Sequence, residues 1–384
     1  MGTNETLLSR LRRGHLISRL GGRVTREAQH IMTTVVLTLS KPTPGRVTIV
    51  TLNADEENAT VQVVLLGDDT SVYRVSFLSP DPDVSKVAVA LAETQLDRSA
   101  PASTVYLRLG YWEMLRQYRM SETTYSTHVL LPGRDFSKRR RHVHLTHGSG
   151  PKPDTTFRGP TNVLASITPQ WVPAQLREYK LPPDTEVIDY MPRLEVMRRA
   201  VGDRTVQERL GLDPTRKLVV WAPTYRAVRR ENGEVRVSGI PFDQQSDEVD
   251  QTATGRLKPL TISSFVEESH ARGWNLVAKI HPHDAGTYEN LNIPVHTSAS
   301  LRNIGITPYQ LFGSAALLVT DYSSIYVERA ELDLDYAFWR PDIDEFAASY
   351  RGLRRQWLDT DSGDSSISNY IDLPEIYNPD DLKA

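Results

Sequence analysis

The sequence predicts an α/β protein made of two Rossmann-like domains that face each other across an interdomain cleft. Three observations carry this. Short apolar runs rich in Val, Ile and Leu alternate with longer helical or loop segments, the pattern of strands joined by crossovers in a parallel, doubly wound sheet. The series occurs twice, on either side of a charged, helix-rich stretch near 198–214 that ends Gly211-Leu-Asp-Pro214 and reads as a hinge. A length of 384 residues suits two cores of ordinary size better than one.

In chain order, residues 1–40 are a basic, amphipathic lead-in. Leu7, Leu8, Leu11, Leu16, Ile17 and Leu20 share one helical face, and Arg10, Arg12, Arg13, Arg19, Arg23 and Arg26 cover the other. Such a segment lies either on an anionic membrane surface or against the protein with its arginines solvated. Residues 41–200 are expected to form the first Rossmann-like domain, with strands at Val47–Leu52, Arg74–Leu78, Thr104–Leu109, His128–Leu131, His142–Thr146, Val163–Ser166 and Glu186–Ile188. Residues 201–350 are expected to form the second, with strands at Leu218–Trp221, Asn275–Ile280, Val295–Thr297, Ala315–Thr320 and Tyr336–Phe338. Between the first two of these, 226–259 is polar and reads as an irregular, mobile loop over the cleft. Residues 351–384 read as a C-terminal tail.

Composition removes several classes of function. Hydrophobic residues at 39% and charged residues at 24% fit a folded protein. A net charge of −3 and a pI near 6.4 lack the basic excess of a nucleic-acid binder, so any anion site is local. The absence of cysteine excludes disulfides, thiolate zinc sites and cysteine nucleophiles. No stretch approaches the roughly 20 apolar residues that span a bilayer. The longest candidate, Ile31 to Leu39, is interrupted by Thr33, Thr34 and Thr38. The arginine-studded start is also a poor signal peptide, and the expected location is the cytoplasm.

Open α/β sheets bind ligands at the carboxyl ends of their strands, so the chemistry is expected in four strand-to-helix turns. In Leu317-Leu-Val-Thr-Asp-Tyr-Ser-Ser-Ile-Tyr-Val-Glu328 an apolar strand runs into Ser323 and Ser324 and then a helical pattern. Free N–H groups and small hydroxyls there suit an anion, although both serines also serve as plain helix caps. In Val277-Ala-Lys-Ile-His281-Pro-His283, His281 ends a strand and Pro282 fixes the chain beyond it, which favours His281 for a phosphate or transition-state contact. In His142-Val-His-Leu-Thr-His147-Gly-Ser-Gly-Pro-Lys152, Gly148 and Gly150 permit a sharp turn that exposes His147 as a general base. A metal site on three neighbouring histidines is the lesser alternative, because His142 and His144 alternate with Val143 and Leu145 on a strand and no carboxylate supports them. In Leu218-Val-Val-Trp-Ala-Pro-Thr-Tyr-Arg226, Arg226 is placed to clamp a pyrophosphate. The run Lys138-Arg-Arg-Arg141 is either a solvated face or an attractor of anionic polymer.

In this order, the four segments resemble the CDP-glycerol glycerophosphotransferase family of teichoic-acid primases, polymerases and related capsule polymerases, over roughly residues 104 to 350. The family's His-Gly-Thr-Pro-Leu-Lys stands here as His147-Gly-Ser-Gly-Pro-Lys152, its Tyr-Ala-Pro-Thr-Trp-Arg as Trp221-Ala-Pro-Thr-Tyr-Arg226, and its His-Pro-His as His281-Pro-His283. Thr-Asp-Tyr-Ser-Ser is whole at Thr320 to Ser324, whereas Gly-x-Pro-Arg is kept only partly, as Tyr190-Met-Pro-Arg193. Glu328 stands where relatives often carry Asp.

The resemblance implies a GT-B arrangement and a cytoplasmic-face, membrane-associated enzyme that moves a polyol phosphate from a CDP-activated donor to an anionic polyol-phosphate or lipid-linked acceptor. It implies His147 as the base and His281 as a second catalytic residue, holding the donor pyrophosphate. Thr224, Arg226, His283, Asp321, Tyr322, Ser323 and Ser324 would lie on the donor side, and Gly148, Ser149 and Lys152 on the acceptor side. It calls for no cofactor, no metal and no nucleic-acid partner. Two other classes share these features: a GT-B glycosyltransferase using a nucleotide sugar, and a polymer-binding protein without turnover.

Overall fold

The computed structural model describes residues 25–128, 130–146, 159–224, 229–231, 234–236, 262–281 and 291–339. A helix over 25–39 (α1) precedes the first sheet. That sheet takes its strands from β1 (Thr43–Val50), β2 (Arg74–Ser79), β3 (Val105–Arg108), β4 (Ser121–Ser126), β5 (Arg141–His144), β6 (Val163–Ala165) and β7 (Glu186–Ile188). They lie side by side in the order β3-β2-β1-β4-β5-β6-β7, every pair parallel. This is the doubly wound order, with its switch point between β1 and β4. Helices α2 (Glu57–Leu65), α3 (Pro82–Leu96), α4 (Tyr111–Met120) and α5 (Val172–Glu178) make crossovers. Strand β1 reads Val-Thr-Ile-Val at its end because a parallel strand covered on both faces takes no polar alternation. Its Val47, Ile49 and Val50 are buried, with Val61, Val63 and Phe77 in the surrounding core. Helix α3 begins where it does because Asp81 accepts from the N–H groups of Asp83 and Val84 and Pro82 opens the first turn.

One expected strand is displaced. The fourth strand is Ser121–Ser126, not His128–Leu131. Its sequence, Ser-Glu-Thr-Thr-Tyr-Ser, has no apolar run because its buried side chains are held by hydrogen bonds instead. Ser121 Oγ lies 2.7 Å from Thr48 Oγ1, and Thr124 Oγ1 lies 2.7 Å from His142 Nδ1.

A short α6 (Leu194–Arg199) and α7 (Thr205–Arg209) lead to the second sheet. Its strands are β8 (Leu218–Ala222), β11 (Asn275–Lys279), β12 (Val295–His296), β13 (Leu317–Thr320) and β14 (Tyr336–Phe338). They run parallel in the order β12-β11-β8-β13-β14, a second doubly wound sheet with its switch point between β8 and β13. A two-stranded antiparallel ribbon, β9 (Arg229–Glu231) with β10 (Glu234–Arg236), forms within the stretch expected to be irregular. Helix α8 (Ile262–Ala271) precedes β11, while α9 (Ser298–Asn303), α10 (Pro308–Ser314) and α11 (Ile325–Glu331) pack around the sheet. Gly313 of α10 meets α6 so closely that a Cβ there would lie 2.2 Å from the Met197 carbonyl oxygen, so only glycine fits.

The basic run before β5 serves the framework. Arg140 is buried and donates to the carbonyls of Leu37 and Ser40 and to Asp135, pinning the end of α1. Arg141 pairs with Glu186, while Lys138 and Arg139 remain exposed. Residues 1–24 of the lead-in and the tail from 340 lie outside the described residues.

Candidate active site

The carboxyl ends of β8 and β13 meet at the second switch point, and Asp321 joins them. Its Oδ1 accepts from the Thr224 N–H at 2.8 Å and from the Tyr322 N–H at 2.5 Å, and Thr320 Oγ1 donates to the Ala222 carbonyl at 2.7 Å. Two sequence segments almost a hundred positions apart thus form one rigid double turn. Asp321 and Tyr322 are buried within it; Tyr322 packs with Ile167, Trp171, Met191 and Leu194 from the first half of the chain. Thr224, Ser323 and Ser324 are half-buried at the turn's surface. Ser324 is the N-cap of α11 and makes no side-chain cap bond, while Ser323 Oγ accepts weakly from Ile325 N at 3.5 Å. His281 stands exposed just beyond β11, the neighbour of β8. Thus Thr224, Ser323, Ser324 and His281 end adjacent strands on one rim.

The first half presents its own strand ends opposite. Strand β5 is followed by Leu145 and Thr146, next in sequence to His147. Beyond β1 come Asp55, Glu56, Glu57 and Asn58. His147, Gly148, Ser149 and Lys152, with Arg226 and His283, lie outside the described residues. Of the other two histidines in the first motif, His142 is buried against Thr124 and Asp135. Burial holds its pKa below the ordinary value, so it stays a neutral framework group. His144 is buried edge-on to Tyr179, with ring centroids 4.5 Å apart. Among the described residues no group of three His, Asp or Glu is gathered as a metal site.

The rims are bridged by buried charge. Arg193, from the partly kept Pro-Arg segment, hydrogen-bonds Glu328 of α11 and lies 3.4 Å from Glu56, with its guanidinium 4.4 Å from the centre of the Tyr309 ring. Burial alone would lower the Arg193 pKa, but Glu328, Tyr309 and Glu56 hold it above its ordinary value. Arg302 pairs with Asp55. Glu57 is fully within the protein, and desolvation pushes its carboxyl up to about 8, while both its oxygens accept from Tyr309 N–H, at 3.3 and 3.1 Å. Burial also lowers the Lys279 pKa, against the pull of Glu57, Asp55 and Glu56.

Residues 175–363 match the family described as CDP-glycerol:poly(glycerophosphate) glycerophosphotransferase. The second half of the chain thus carries a domain of that family. The matched segment contains β8, β13 and the Asp321 double turn, and the chain is a transferase of that kind. Solved structures of the wall teichoic acid polymerase TagF share its fold. A histidine-to-asparagine variant soaked with CDPG superposes with a TM-score of 0.56 at 15% identity, over 91% of this chain and 83% of that one. The variant without the soak gives 0.58 at 13%, over 91% and 84%. A comparison with curated proteins gave no match. The expected pair of doubly wound parallel sheets is therefore the observed arrangement, and TagF shares it.

Several of the chain's site-building residues gave little sign of themselves in sequence. Arg193 carried a trace, as the kept end of a motif, and Glu328 turns out to be its ion-pair partner. Glu57 and Asn58 open α2 and Lys279 ends β11, with no signature of their own in the sequence.

Proposed function

We propose that this transferase moves a glycerol-phosphate-like unit from a CDP-activated donor onto a hydroxyl of a teichoic-acid- or capsule-like polymer and releases CMP. The observation that carries the reading is the union of the Ala-Pro-Thr and Asp-Tyr-Ser-Ser segments in one double turn, at a sheet switch point, inside the segment that matches the family. On this reading Ser323, Ser324, Thr224, Arg226, His281 and His283 hold the donor pyrophosphate, with Asp321 and Tyr322 shaping the turn from within. His147, with Gly148, Ser149 and Lys152 beside it, serves the acceptor. The acceptor hydroxyl attacks the β-phosphorus while His147 takes its proton. The bond from that phosphorus to the bridging oxygen breaks, and CMP leaves with the electron pair. Cationic and N–H donors around the pyrophosphate offset the developing charge.

The reading includes peripheral attachment at the inner face of the cell membrane. Ala28, Ile31, Met32, Val35 and Leu39 fall on one side of α1, and that side is exposed, Ile31 at 63% and Leu39 at 74%. The neighbouring loop bonds to Thr34 and Thr38 through the N–H groups of Arg134 and Phe136, and adds exposed Phe136, Lys138 and Arg139. An apolar ridge edged by cations suits an anionic lipid surface. Among the described residues no helix is long and apolar enough to cross a membrane.

The deciding experiment incubates the full chain and a polyol-phosphate acceptor with CDP-glycerol and, separately, with UDP-sugars. CMP release and polymer growth with the first are expected. UDP release alone would make it a glycosyltransferase, and CDP binding without turnover on any donor would make it a binding protein.

A further inference from the structure

The turn that ends β5 is strained. Thr146 is fully buried and sits at φ 48°, in the left-handed region that a β-branched residue seldom adopts. Such a conformation persists where its surroundings over-determine it. Asn58, fully buried in the first turn of α2, supplies that determination. Its Nδ2 donates to the Thr146 carbonyl at 3.1 Å and approaches the Leu145 carbonyl at 3.5 Å, while its Oδ1 accepts from the Arg193 N–H at 3.2 Å. An amide is the side chain that offers donor and acceptor on one planar group. An aspartate would turn a second acceptor on the two carbonyls; an alanine would leave three buried polar groups unmet.

Asn58 therefore ties three segments at one point: the start of α2, the end of β5, and the chain at Arg193. From there the Arg193 guanidinium reaches Glu328 in the helix behind Ser323 and Ser324. We propose that Asn58 is a positioning residue for the reaction, fixing the strained carbonyl from which the chain continues to His147 and linking that turn to the donor-side helix through Arg193. The proposal rests on the reading of His147 as the base.

The test is a cycle of full-length variants: Asn58→Asp, Asn58→Ala, His147→Ala and the two doubles, each assayed for CMP release and for CDP binding by calorimetry. Asn58→Asp keeps the acceptor for Arg193 and loses the donor to Thr146. It is expected to lower kcat by roughly 10-fold or more with donor KM and CDP affinity within about twofold, and to lower it no further in the His147→Ala background. Equal losses in both backgrounds, or an unchanged kcat in a folded Asn58→Asp, would overturn the proposal. So would loss of the native circular-dichroism spectrum in both Asn58 variants, because Asn58 would then be a framework residue alone. If His147→Ala by itself leaves turnover intact, the reading of His147 as base fails first, and that outcome is distinct from the others.

Discussion

Asp321 builds the double turn from within. Its carboxylate holds two backbone N–H groups in a buried turn, and hydrogen bonds to a charged acceptor contribute about 1.5–3 kcal/mol. Asp321→Ala is expected to lower thermal stability and donor affinity together, whereas Asp321→Asn, which keeps the accepting oxygen, recovers part of both. Ser324→Ala removes one surface hydroxyl and is expected to weaken CDP-donor binding by about 1 kcal/mol with stability unchanged. His147→Ala is expected to cut turnover by roughly 10² to 10⁴ and leave donor affinity near that of the parent. Calorimetry with CDP beside CMP-release kinetics separates these; loss of CDP binding with turnover kept at saturating donor would move His147 into the donor site. The motif residues were legible in sequence, but their division of labour was not. Asp321 and Tyr322 stand in the same unbroken run as Ser323 and Ser324, and only burial separates those that build the turn from those on its surface.

Elements were legible where they were apolar. Strands β1, β2, β8, β11 and β13 announce themselves as Val, Ile and Leu runs because parallel strands are covered on both faces. Strand β4 escaped because its partners are polar: Thr48, His142 and Gln117 with Ser76 make the middle of the first half a hydrogen-bonded layer, where hydropathy carries no signal. The amphipathic face expected of the lead-in, Leu7 to Leu20, lies outside the described residues; in α1 itself the side that packs on the protein bears Thr33 and Leu37, with Thr34 and Thr38 bonded to the loop at Arg134 and Phe136, while Ile31, Val35 and Leu39 face out. The threonines that interrupt the apolar stretch are thus its docking groups. This orientation gives a prediction at the scale of the helix. Val35→Asp is expected to leave the thermal midpoint within a degree or two, since an exposed substitution seldom exceeds about 0.5 kcal/mol. It should also release the protein from vesicles containing anionic lipid in a flotation assay. Unchanged flotation would remove α1 from the attachment surface.

Across the whole molecule, the two halves meet through charge that is largely buried, and this makes their union depend on pH. The acidic run after β1 faces Arg302, Arg193, Lys279 and Tyr309 from the second half and from the segment between the sheets. Within it Glu57 titrates near 8 in the folded chain, against an ordinary 4.5, because burial penalises its charge. Between those two values the folded protein holds a proton that the unfolded chain has released, so folding is linked to proton uptake. Stability contributed by this group is therefore greatest below about pH 4.5 and declines as pH rises toward 8, beyond which the charged form is buried at full cost. Each pKa unit corresponds to about 1.4 kcal/mol, so the whole change is on the order of a few kcal/mol. Glu57→Gln keeps an oxygen to accept from the Tyr309 N–H and cannot ionise. Urea unfolding of parent and variant at pH 5, 7 and 9 isolates the effect, because the other titrating groups are common to both. The variant is expected to match or trail the parent at pH 5 and to exceed it at pH 9, with the difference widening steadily between. A difference that stays constant across the three would mean that Glu57 is already charged in the folded interface, with Arg193 and Lys279 offsetting its burial.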